Sequence, residues 1–262
     1  GGAFSPSQEA YLRLTSSWNS CVRENDSSCG RMADSPPTGC TWSGSAHVYV
    51  LATPGGAWAW NGTLKPAIVK NETQCGWGVA IARDVVVVGC YGDSSPSTLV
   101  DVGEAWTNGS GVGSAHTWRL SSANASKSVR EGYLKAFAAA DGQHFGWPVA
   151  VAANATHEVA AAGALSSMTG APYGDMSASL AMPYNVPVNA SGLYWEGDVW
   201  SFVHAVGGGA GTWRAAHRIK PPVGMASEYF GQTLTAAATP AGQVVLGVGT
   251  YYGCKGYVVV LA

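Results

Sequence analysis

The sequence contains one pattern of motifs three times, and this repeat constrains the fold more than any other feature. Each copy opens at a glycine, reaches an apolar residue followed by Lys about twenty residues later, and has an internal glycine eleven residues after that Lys. From opening to internal glycine the distance is 32, 33 and 34 residues. The opening segments are GSAHVYVL from Gly44, GSAHTWRL from Gly113 and GDVWSFVH from Gly197. Such constant spacing indicates a structural repeat.

Each segment of the repeat has the pattern of a β-strand. The opening segments alternate small or polar residues with aromatic and β-branched ones. After each internal glycine, two apolar runs flank a short turn and predict a hairpin; the turns are Arg83-Asp84, Ala155-Thr156 and Pro240-Ala241. The nearly continuous Val and Ala of these runs indicates strands buried on both faces. Four strands in each copy predict an all-β, β-propeller-like array of four-stranded blades.

We expect three full modules and a partial one in a single domain. The predicted blades are 44–112, 113–196 and 197–255, and residues 256–262 form the first strand of a fourth module. Residues 91–112 and 165–196 are surface loops by composition. Residues 1–43 belong to the same domain as a separate N-terminal segment.

The glycine motifs resemble those of a known repeat family. Phe145-Gly146 with the later Gly163-Ala164, and Phe230-Gly231 with the later Gly247, are similar to FG-GAP repeats. These repeats are the propeller blades of integrin α subunits and of many secreted adhesion and lectin-like proteins. Cys75-Gly76 and Gly89-Cys90 resemble the same module with Cys at both edges. The resemblance covers residues 44–262, and it implies a propeller fold and an adhesive or structural role.

The chain departs from the family pattern in two respects. Integrin-type blades often carry a calcium loop of the Asp-x-Asp/Asn-x-Asp-Gly kind, whereas the nearest equivalent here has the lone carboxylate of Asp141. Because calcium needs several oxygen ligands, we expect no calcium in the blades. No Cys or His spacing suits another metal, so we expect no metal or cofactor besides N-linked glycans. Integrin-like propellers also resemble seven-bladed rings, and this chain has material for about four blades.

The unfinished last strand leaves two ways to complete the sheets. Residues 256–262 can pair beside strand material from the N-terminal region of the same chain. Alternatively, they can be donated to a neighbouring copy by β-augmentation, and head-to-tail donation would produce a filament.

The N-terminal segment has features of a short helix followed by a disulfide-tied loop. Ser5-Pro6-Ser7-Gln8 resembles a helix start. Ala10, Tyr11, Leu14 and Trp18 would then share one helical face. The loop is predicted between Cys21 and Cys40.

Glycosylation motifs place the protein outside the cell. Seven of nine Asn residues lie in Asn-x-Ser/Thr, whereas about 1.4 such matches are expected by chance. The predicted glycan sites are Asn25, Asn61, Asn71, Asn108, Asn124, Asn154 and Asn189. No signal peptide is visible at Gly1, so we expect that a leader has been removed or that the chain is part of a longer protein. The sequence therefore predicts a secreted protein, at the cell surface or in the matrix, carrying N-linked glycans.

Charge composition agrees with this location and excludes other classes. Only 11% of residues are charged and the net charge is −2, so a nucleic-acid-binding surface is not expected. The long uncharged stretches contain Gly, Pro, Asn and Ser, so no membrane span is expected. Glycans would supply the solvation that the few charges do not.

Six cysteines in an oxidising compartment predict three disulfides. Cys75 and Cys90 stand at the two ends of one predicted hairpin, where they can pair. Cys21, Cys29, Cys40 and Cys254 allow three pairings, and the sequence does not choose among them.

The search for catalytic or binding residues gives few candidates. His47 and His116 occupy equivalent repeat positions and are interpreted as packing residues, and no nucleotide-binding, metalloprotease or serine-hydrolase motif is present. Asp93 and Asp175 lie in similar loop motifs, either as turn residues or as an acid pair that contacts sugar hydroxyls. Most of the 11 Trp fit blade packing. Trp106 and Trp195 lie near loops instead, and they are candidates for sugar stacking or a subunit contact.

These observations favour a secreted, glycosylated structural or adhesive propeller that is not an enzyme. Its expected partners are other copies of itself or extracellular matrix glycoproteins. The first alternative is a carbohydrate-binding module that uses Trp106, Trp195, Asp93 and Asp175. The second is a glycosidase or phospholipase of the same architecture, whose turnover would depend on Asp93 or Asp175.

Overall fold

The computed structural model describes residues 11–16, 42–51, 53, 55–66, 68, 72–95, 97, 100–101, 111–121, 127–137, 141–166, 175–177, 197–220, 229–251 and 256–261. Within these ranges the chain is all β, as the sequence predicts. The strands are β1 (Tyr11–Ser16), β2 (Ala46–Leu51), β3 (Trp58–Leu64), β4 (Cys75–Ala82), β5 (Val85–Cys90), β6 (Ser114–Arg119), β7 (Val129–Leu134), β8 (Phe145–Ala153), β9 (His157–Ala164), β10 (Asp175–Ser177), β11 (Asp198–Ala205), β12 (Arg214–Ile219), β13 (Thr233–Ala238), β14 (Val244–Gly249) and β15 (Gly256–Leu261). The described ranges contain no helical segment with the length and hydrophobicity that a bilayer crossing requires.

The strands form four antiparallel sheets. Sheet A has the order β1-β2-β3, sheet B β4-β5-β6-β7, sheet C β10-β12-β11-β9-β8, and sheet D β13-β14-β15. Contacts join sheet A to B, B to C and C to D, so the sheets stack in chain order. The described residues do not form a closed propeller.

The three sequence copies have the same backbone conformation at their glycines. The opening glycines Gly44, Gly113 and Gly197 have φ values of +71°, +88° and +83°, and the internal glycines Gly76, Gly146 and Gly231 have +88°, +91° and +86°. A Cβ on each opening glycine would lie 2.0–2.2 Å from the carbonyl oxygen of the residue before the internal glycine. Because no side chain fits there and L-residues rarely adopt these φ values, the repeat reflects a backbone requirement.

The three hairpins predicted after the internal glycines are present. They are β4–β5, β8–β9 and β13–β14, and each turn lies at the predicted position. In the first two hairpins, three residues from the internal glycine onward stand opposite a single glycine, Gly89 or Gly163. This insertion displaces the strand and turns the side chain after the internal glycine.

Sheets B and C each begin two strands after the start of a sequence copy, so each combines strands from two copies. Sheet B takes its hairpin β4–β5 from the first copy and its strands β6 and β7 from the second. Sheet C is built in the same way from the second and third copies, with the short strand β10 added at the edge of β12. A repeat in sequence does not fix where a sheet begins, since any four consecutive strands of the pattern can pair.

Three hydrophobic cores lie between neighbouring sheets in the described part of the chain. The core between sheets A and B includes Val48, Val88 and Trp118. A larger core joins sheets B and C, and a third joins C and D. Sheets B and C therefore bury both faces, as the continuous apolar runs predict.

The predicted N-terminal helix is wrong over the residues that can be compared. Tyr11–Ser16 form strand β1, which pairs antiparallel with β2 from Tyr11–Leu51 to Ser16–Ala46. Leu12 and Leu14 also fit a period of two, so the segment is ambiguous in isolation. The edge of β2 decides the outcome, because pairing satisfies its backbone groups. The start of the predicted helix and the loop from Cys21 to Cys40 lie outside the described residues.

The last strand does not pair with the N-terminal strand β1, which pairs with β2 instead, so that prediction is wrong for the described residues, and donation to a second copy stays a prediction. Strand β15 pairs with β14 along its full length, from Val244–Leu261 to Gly249–Gly256. It therefore forms the third strand of sheet D, in the position that β6 has in sheet B.

Candidate functional site

Aromatic side chains gather where sheets B and C meet. The ring of Trp77 lies 4.6 Å from Trp147 and 5.5 Å from Tyr91, measured between centroids. Tyr91 in turn lies 4.7 Å from Trp147 and 5.8 Å from His144. Trp77 is 38% exposed and the other three are half-buried. We call Trp77, Tyr91, His144 and Trp147 the aromatic cluster.

The repeat places the two tryptophans side by side. Trp77 and Trp147 each follow the internal glycine of their copy and occupy the middle of the three-residue insertion in β4 and in β8. Because β4 and β8 pack against each other, equivalent positions of neighbouring sheets meet. The cluster is thus a direct result of the repeat.

A groove adjoins the cluster on the side of sheet A. Trp42, Gly44, Gln74, Cys75 and Trp77 line it. The ring of Trp42 is 51% exposed, so two partly exposed tryptophans line the groove. Partly exposed tryptophans present flat apolar faces to solvent.

The aromatic cluster is uncharged near neutral pH. Burial raises the pKa of Tyr91 above its ordinary value, which favours the neutral phenol. Burial also lowers the pKa of His144, which favours the neutral imidazole. Its ring Nδ1 lies 3.3 Å from the Ser166 hydroxyl. Such a surface can stack on the apolar face of a sugar ring and donate or accept a few hydrogen bonds.

Charged groups form a second cluster between sheets B and C. The guanidinium of Arg119 donates from Nε and Nη2 to Glu131 at 3.0 Å each, and from Nη1 and Nη2 to Glu158 at 2.7 Å each. Nη1 also donates to Asp84 at 2.8 Å. Both glutamates are buried, at 8% and 2% exposure. The pKa of Arg119 is raised, chiefly by its hydrogen bonds to Glu158 and, against the effect of burial, also by those to Glu131 and Asp84.

His204, on strand β11 of sheet C, adjoins this charged cluster. Its Nδ1 lies 2.9 Å from Glu158 Oε2, and its ring stacks on Trp213 with centroids 5.0 Å apart. Glu131, Glu158 and His204 offer ligand atoms within 4.8 Å of one another, a spacing that would suit a metal ion. All four glutamate oxygens, however, accept hydrogen bonds from Arg119. The arrangement therefore fits an ion-pair network that joins two sheets better than a metal centre or an acid–base pair.

Asp93 is buried, and both of its carboxylate oxygens accept hydrogen bonds from the protein. Its Oδ1 accepts from the Ser95 amide at 3.0 Å, and its Oδ2 accepts from the Tyr133 hydroxyl at 2.7 Å. With 2% exposure, it is not accessible to a ligand. This favours the interpretation of Asp93 as a turn residue over a sugar contact or a catalytic acid.

The other predicted contact residues are not brought to this site by the described structure. Asp175 begins the edge strand β10, where its backbone pairs with Ile219. Trp106 and Trp195 lie outside the described residues, so their role as sugar or partner contacts stays a prediction.

Two of the seven predicted glycan sites are described. Asn61 is a half-buried residue of β3 that stands opposite no residue of β2, in a bulge between Trp60 and Gly62. Asn154 begins the β8–β9 turn, and its Oδ1 accepts from the amides of Thr156 and His157 at 2.9 and 2.7 Å. The sites outside the described residues are Asn25, Asn71, Asn108, Asn124 and Asn189.

The Cys75–Cys90 disulfide is present, as predicted from the hairpin. The two residues face each other across β4 and β5. Cys21, Cys29, Cys40 and Cys254 lie outside the described residues, so their pairing stays open.

Two comparisons of the sequence with known proteins found no match. No protein-family model matches the chain, and no curated protein sequence matches it. The similarity to FG-GAP repeats therefore rests on the motifs quoted above.

Sequence reasoning missed both clusters. Trp77 and Trp147 are at equivalent repeat positions, which is the one sequence signal that they could lie close together. Their exposure depends on the insertion in β4 and β8, which that signal does not predict. Arg119 and Glu131 lie on neighbouring strands of one sheet, whereas Glu158 comes from the next sheet. No local pattern links these residues, because sheet stacking alone brings them together.

Proposed function

We propose that the chain is a secreted, N-glycosylated structural or adhesive protein of FG-GAP-type propeller blades. It assembles with other copies of itself or binds extracellular matrix glycoproteins. The stacked sheets with equivalent glycines support the blade architecture, and the Cys75–Cys90 disulfide fits an oxidising compartment.

The observation that carries the proposal is that several of the chain's few charged side chains are buried and do not contribute to surface hydration. Of its 14 basic and 16 acidic residues, seven are buried among the described residues: Asp93, Glu131, Lys135, Glu158, Asp198, Arg218 and Lys220. Arg218 is an example, since it bonds to Asp198 at 2.6 Å and lies 4.9 Å from the ring of Trp200. A soluble surface normally has about 25–35% charged residues. Seven sequons offer the hydration that this surface lacks.

Asn154 gives the sharpest test of glycosylation. Residues 155–157 beside it are exposed, and its Nδ2 donates to the Gly242 carbonyl at 2.5 Å. A glycosylated amide nitrogen keeps one hydrogen, so this bond can persist with a glycan attached. We expect Asn154→Gln to remove one glycan from the secreted protein, as measured by intact mass before and after enzymatic deglycosylation.

Asn185 provides the matched control, because Val and Pro follow it and it is not in a sequon. Asn185→Gln should leave the glycan mass unchanged. A secreted protein whose mass does not fall on deglycosylation would contradict the proposal.

A second candidate function, carbohydrate binding, is favoured by the aromatic cluster. Trp77 and Trp42 border the same groove with exposed rings. A pair of aromatic rings contributes about 0.5–1.5 kcal/mol beyond the area that it buries, and we expect a sugar face on Trp77 to contribute a similar amount. This candidate uses residues other than Trp106 and Trp195.

We expect Trp77→Ala to weaken binding of a glycan-array hit about tenfold, since the groove loses one of its two tryptophans and Trp147 loses its neighbour. Trp60→Ala is the matched control, because Trp60 is 61% exposed on β3 outside the cluster. Equal binding by the two variants, or no array hit with the unmodified protein, would remove the candidate. Isothermal titration calorimetry would give the affinities.

A further inference from the structure

Four equivalent positions face the next sheet in the stack. They are identified by strand register, since Gly89 pairs with Ala115, Gly163 with Val199 and Gly247 with Val258. In sheet B the four are Val87, Gly89, Ala115 and Thr117; in sheet C they are Ala161, Gly163, Val199 and Ser201; in sheet D they are Val245, Gly247, Val258 and Val260. All eight in sheets B and C are buried.

The same positions of sheet D are open. Val258 is 75% exposed and Val260 53% exposed, whereas their equivalents in sheet B are fully buried. Tyr257 and Val259, which alternate with them, pack against sheet C. Since side chains alternate across a strand, Val258 and Val260 point away from the stack. We call Val245, Gly247, Val258 and Val260 the outer face of sheet D.

Gly247 on this face is equivalent to Gly89 and Gly163, against which the backbone of the next sheet packs. A Cβ on Gly89 would lie 1.8 Å from the Gly146 carbonyl oxygen, and one on Gly163 would lie 2.5 Å from that of Gly231. Among the described residues, a Cβ on Gly247 would meet only Thr235 of the same hairpin. Sheet D thus has the shape of an interior sheet, and among the described residues no further sheet packs on this face.

At the other end of the stack, the outward face of sheet A is equivalent to the face with which sheet B contacts the preceding sheet. His116 and Trp118 of sheet B point toward sheet A and are buried, at 1% and 3% exposure. The residues at the same repeat positions in sheet A are His47 and Tyr49, and both are only half-buried. They alternate with Ala46 and Val48, which pack against sheet B, so they point away from the stack.

We propose that the outer face of sheet D in one copy packs against the face of His47 and Tyr49 on sheet A of a second copy. The contact would continue the stacking that joins B to C and C to D within the chain. This inference deepens the proposed function, since it rests on self-assembly and names the surfaces. Because the two faces differ, the contact is heterologous, and it generates a closed ring or an open filament according to its rotation.

The chemistry of the two faces supports a second copy as the occupant. The outer face of sheet D has no charged group and includes two exposed valines, which is the composition of an interface core. His47 is held within its own sheet, with Thr63 Oγ1 3.0 Å from Nδ1 and Ser45 Oγ 3.2 Å from Nε2. Its polar atoms therefore do not need new partners when the face is covered.

The test uses the full glycosylated chain and measures its mass in solution as concentration increases. Val258→Lys would place an ammonium in an apolar contact, so we expect it to weaken self-association at least about tenfold. Val129→Lys is the matched control, because Val129 is 58% exposed on β7. It should associate like the unmodified protein.

A photo-crosslinker at position 258 identifies the occupant. We expect crosslinks to peptides of residues 45–51 in a second copy. Crosslinks to residues 256–261 of a second copy, or to residues 17–41 of the same chain, would overturn the inference. Self-association that Val258→Lys leaves unchanged would also overturn it while leaving assembly as the proposed function. A protein that stays monomeric at every concentration would refute both the inference and the self-assembly part of the proposed function, and would leave the binding of matrix glycoproteins as its remaining form.

Discussion

Gly89→Ala should lower the free energy of unfolding by about 3 kcal/mol or more, at the upper end of overpacking effects. The added Cβ would lie 1.8 Å from the Gly146 carbonyl oxygen and 2.8 Å from its carbon. Both are backbone atoms of the neighbouring sheet, so relief requires sheets B and C to separate. Separation would expose the core that holds Val87, Phe145 and Phe202. Urea unfolding with the disulfide intact, followed by tryptophan fluorescence, measures the effect.

Gly247→Ala is the matched control for the same substitution. Gly247 is the equivalent glycine of sheet D, and within the described part of the chain its added Cβ would meet only the Thr235 side chain, at 2.7 Å. A threonine side chain can shift, and replacing Gly by Ala lowers the entropy of the unfolded chain by an amount worth about 0.4–1 kcal/mol. We therefore expect a change of less than about 1 kcal/mol. Equal losses in the two variants would show that sheet stacking does not require the glycine.

Arg119→Met should cost about 3–5 kcal/mol of stability, because it leaves two buried carboxylates without their cation. All five N–H groups of Arg119 lie within reach of Glu131, Glu158 and Asp84. Methionine has a similar apolar stem, so the loss reports the charge rather than the packing. Chemical denaturation at neutral pH measures it.

Two further variants separate charge from packing at this position. Arg214→Met is the surface control, since Arg214 is exposed at the start of β12, and it should change stability by less than about 0.5 kcal/mol. Adding Glu131→Gln and Glu158→Gln to Arg119→Met should restore part of the loss, because neutral amides tolerate burial better than carboxylates. No recovery in the triple variant would refute the proposed role of Arg119 as the counter-ion.

The hairpins and their disulfide could be predicted because they depend on neighbours in sequence. Cys75 and Cys90 stand at the two ends of apolar runs that meet at Arg83-Asp84, so a hairpin brings them together. Neighbours in sequence could not decide whether the N-terminal segment forms a helix or a strand. Tyr11, Leu14 and Trp18 have a helical spacing, while Leu12 and Leu14 have that of a strand, and a distant partner, β2, decided between them.

The candidate site was accessible to sequence reasoning only in part. Asp93 fits a turn, and its buried position beneath the Tyr133 hydroxyl agrees with that interpretation. The aromatic cluster needs both the insertion after Gly76 and the packing of β4 on β8. Neither the displacement of a strand nor the contact between two sheets is a property of local sequence.

The amino-acid sequence alone determined the strand pattern of the three repeat copies, their hairpins and the glycines at which backbones approach closely. These features depend on side-chain alternation, turn chemistry and the missing Cβ, which act over a few residues. Only the tertiary structure decided which strands share a sheet, which charges meet at Arg119, and which side chains are exposed on the end sheets of the described stack. Those outcomes depend on pairing and packing between segments far apart in the chain, where many arrangements satisfy the same local pattern.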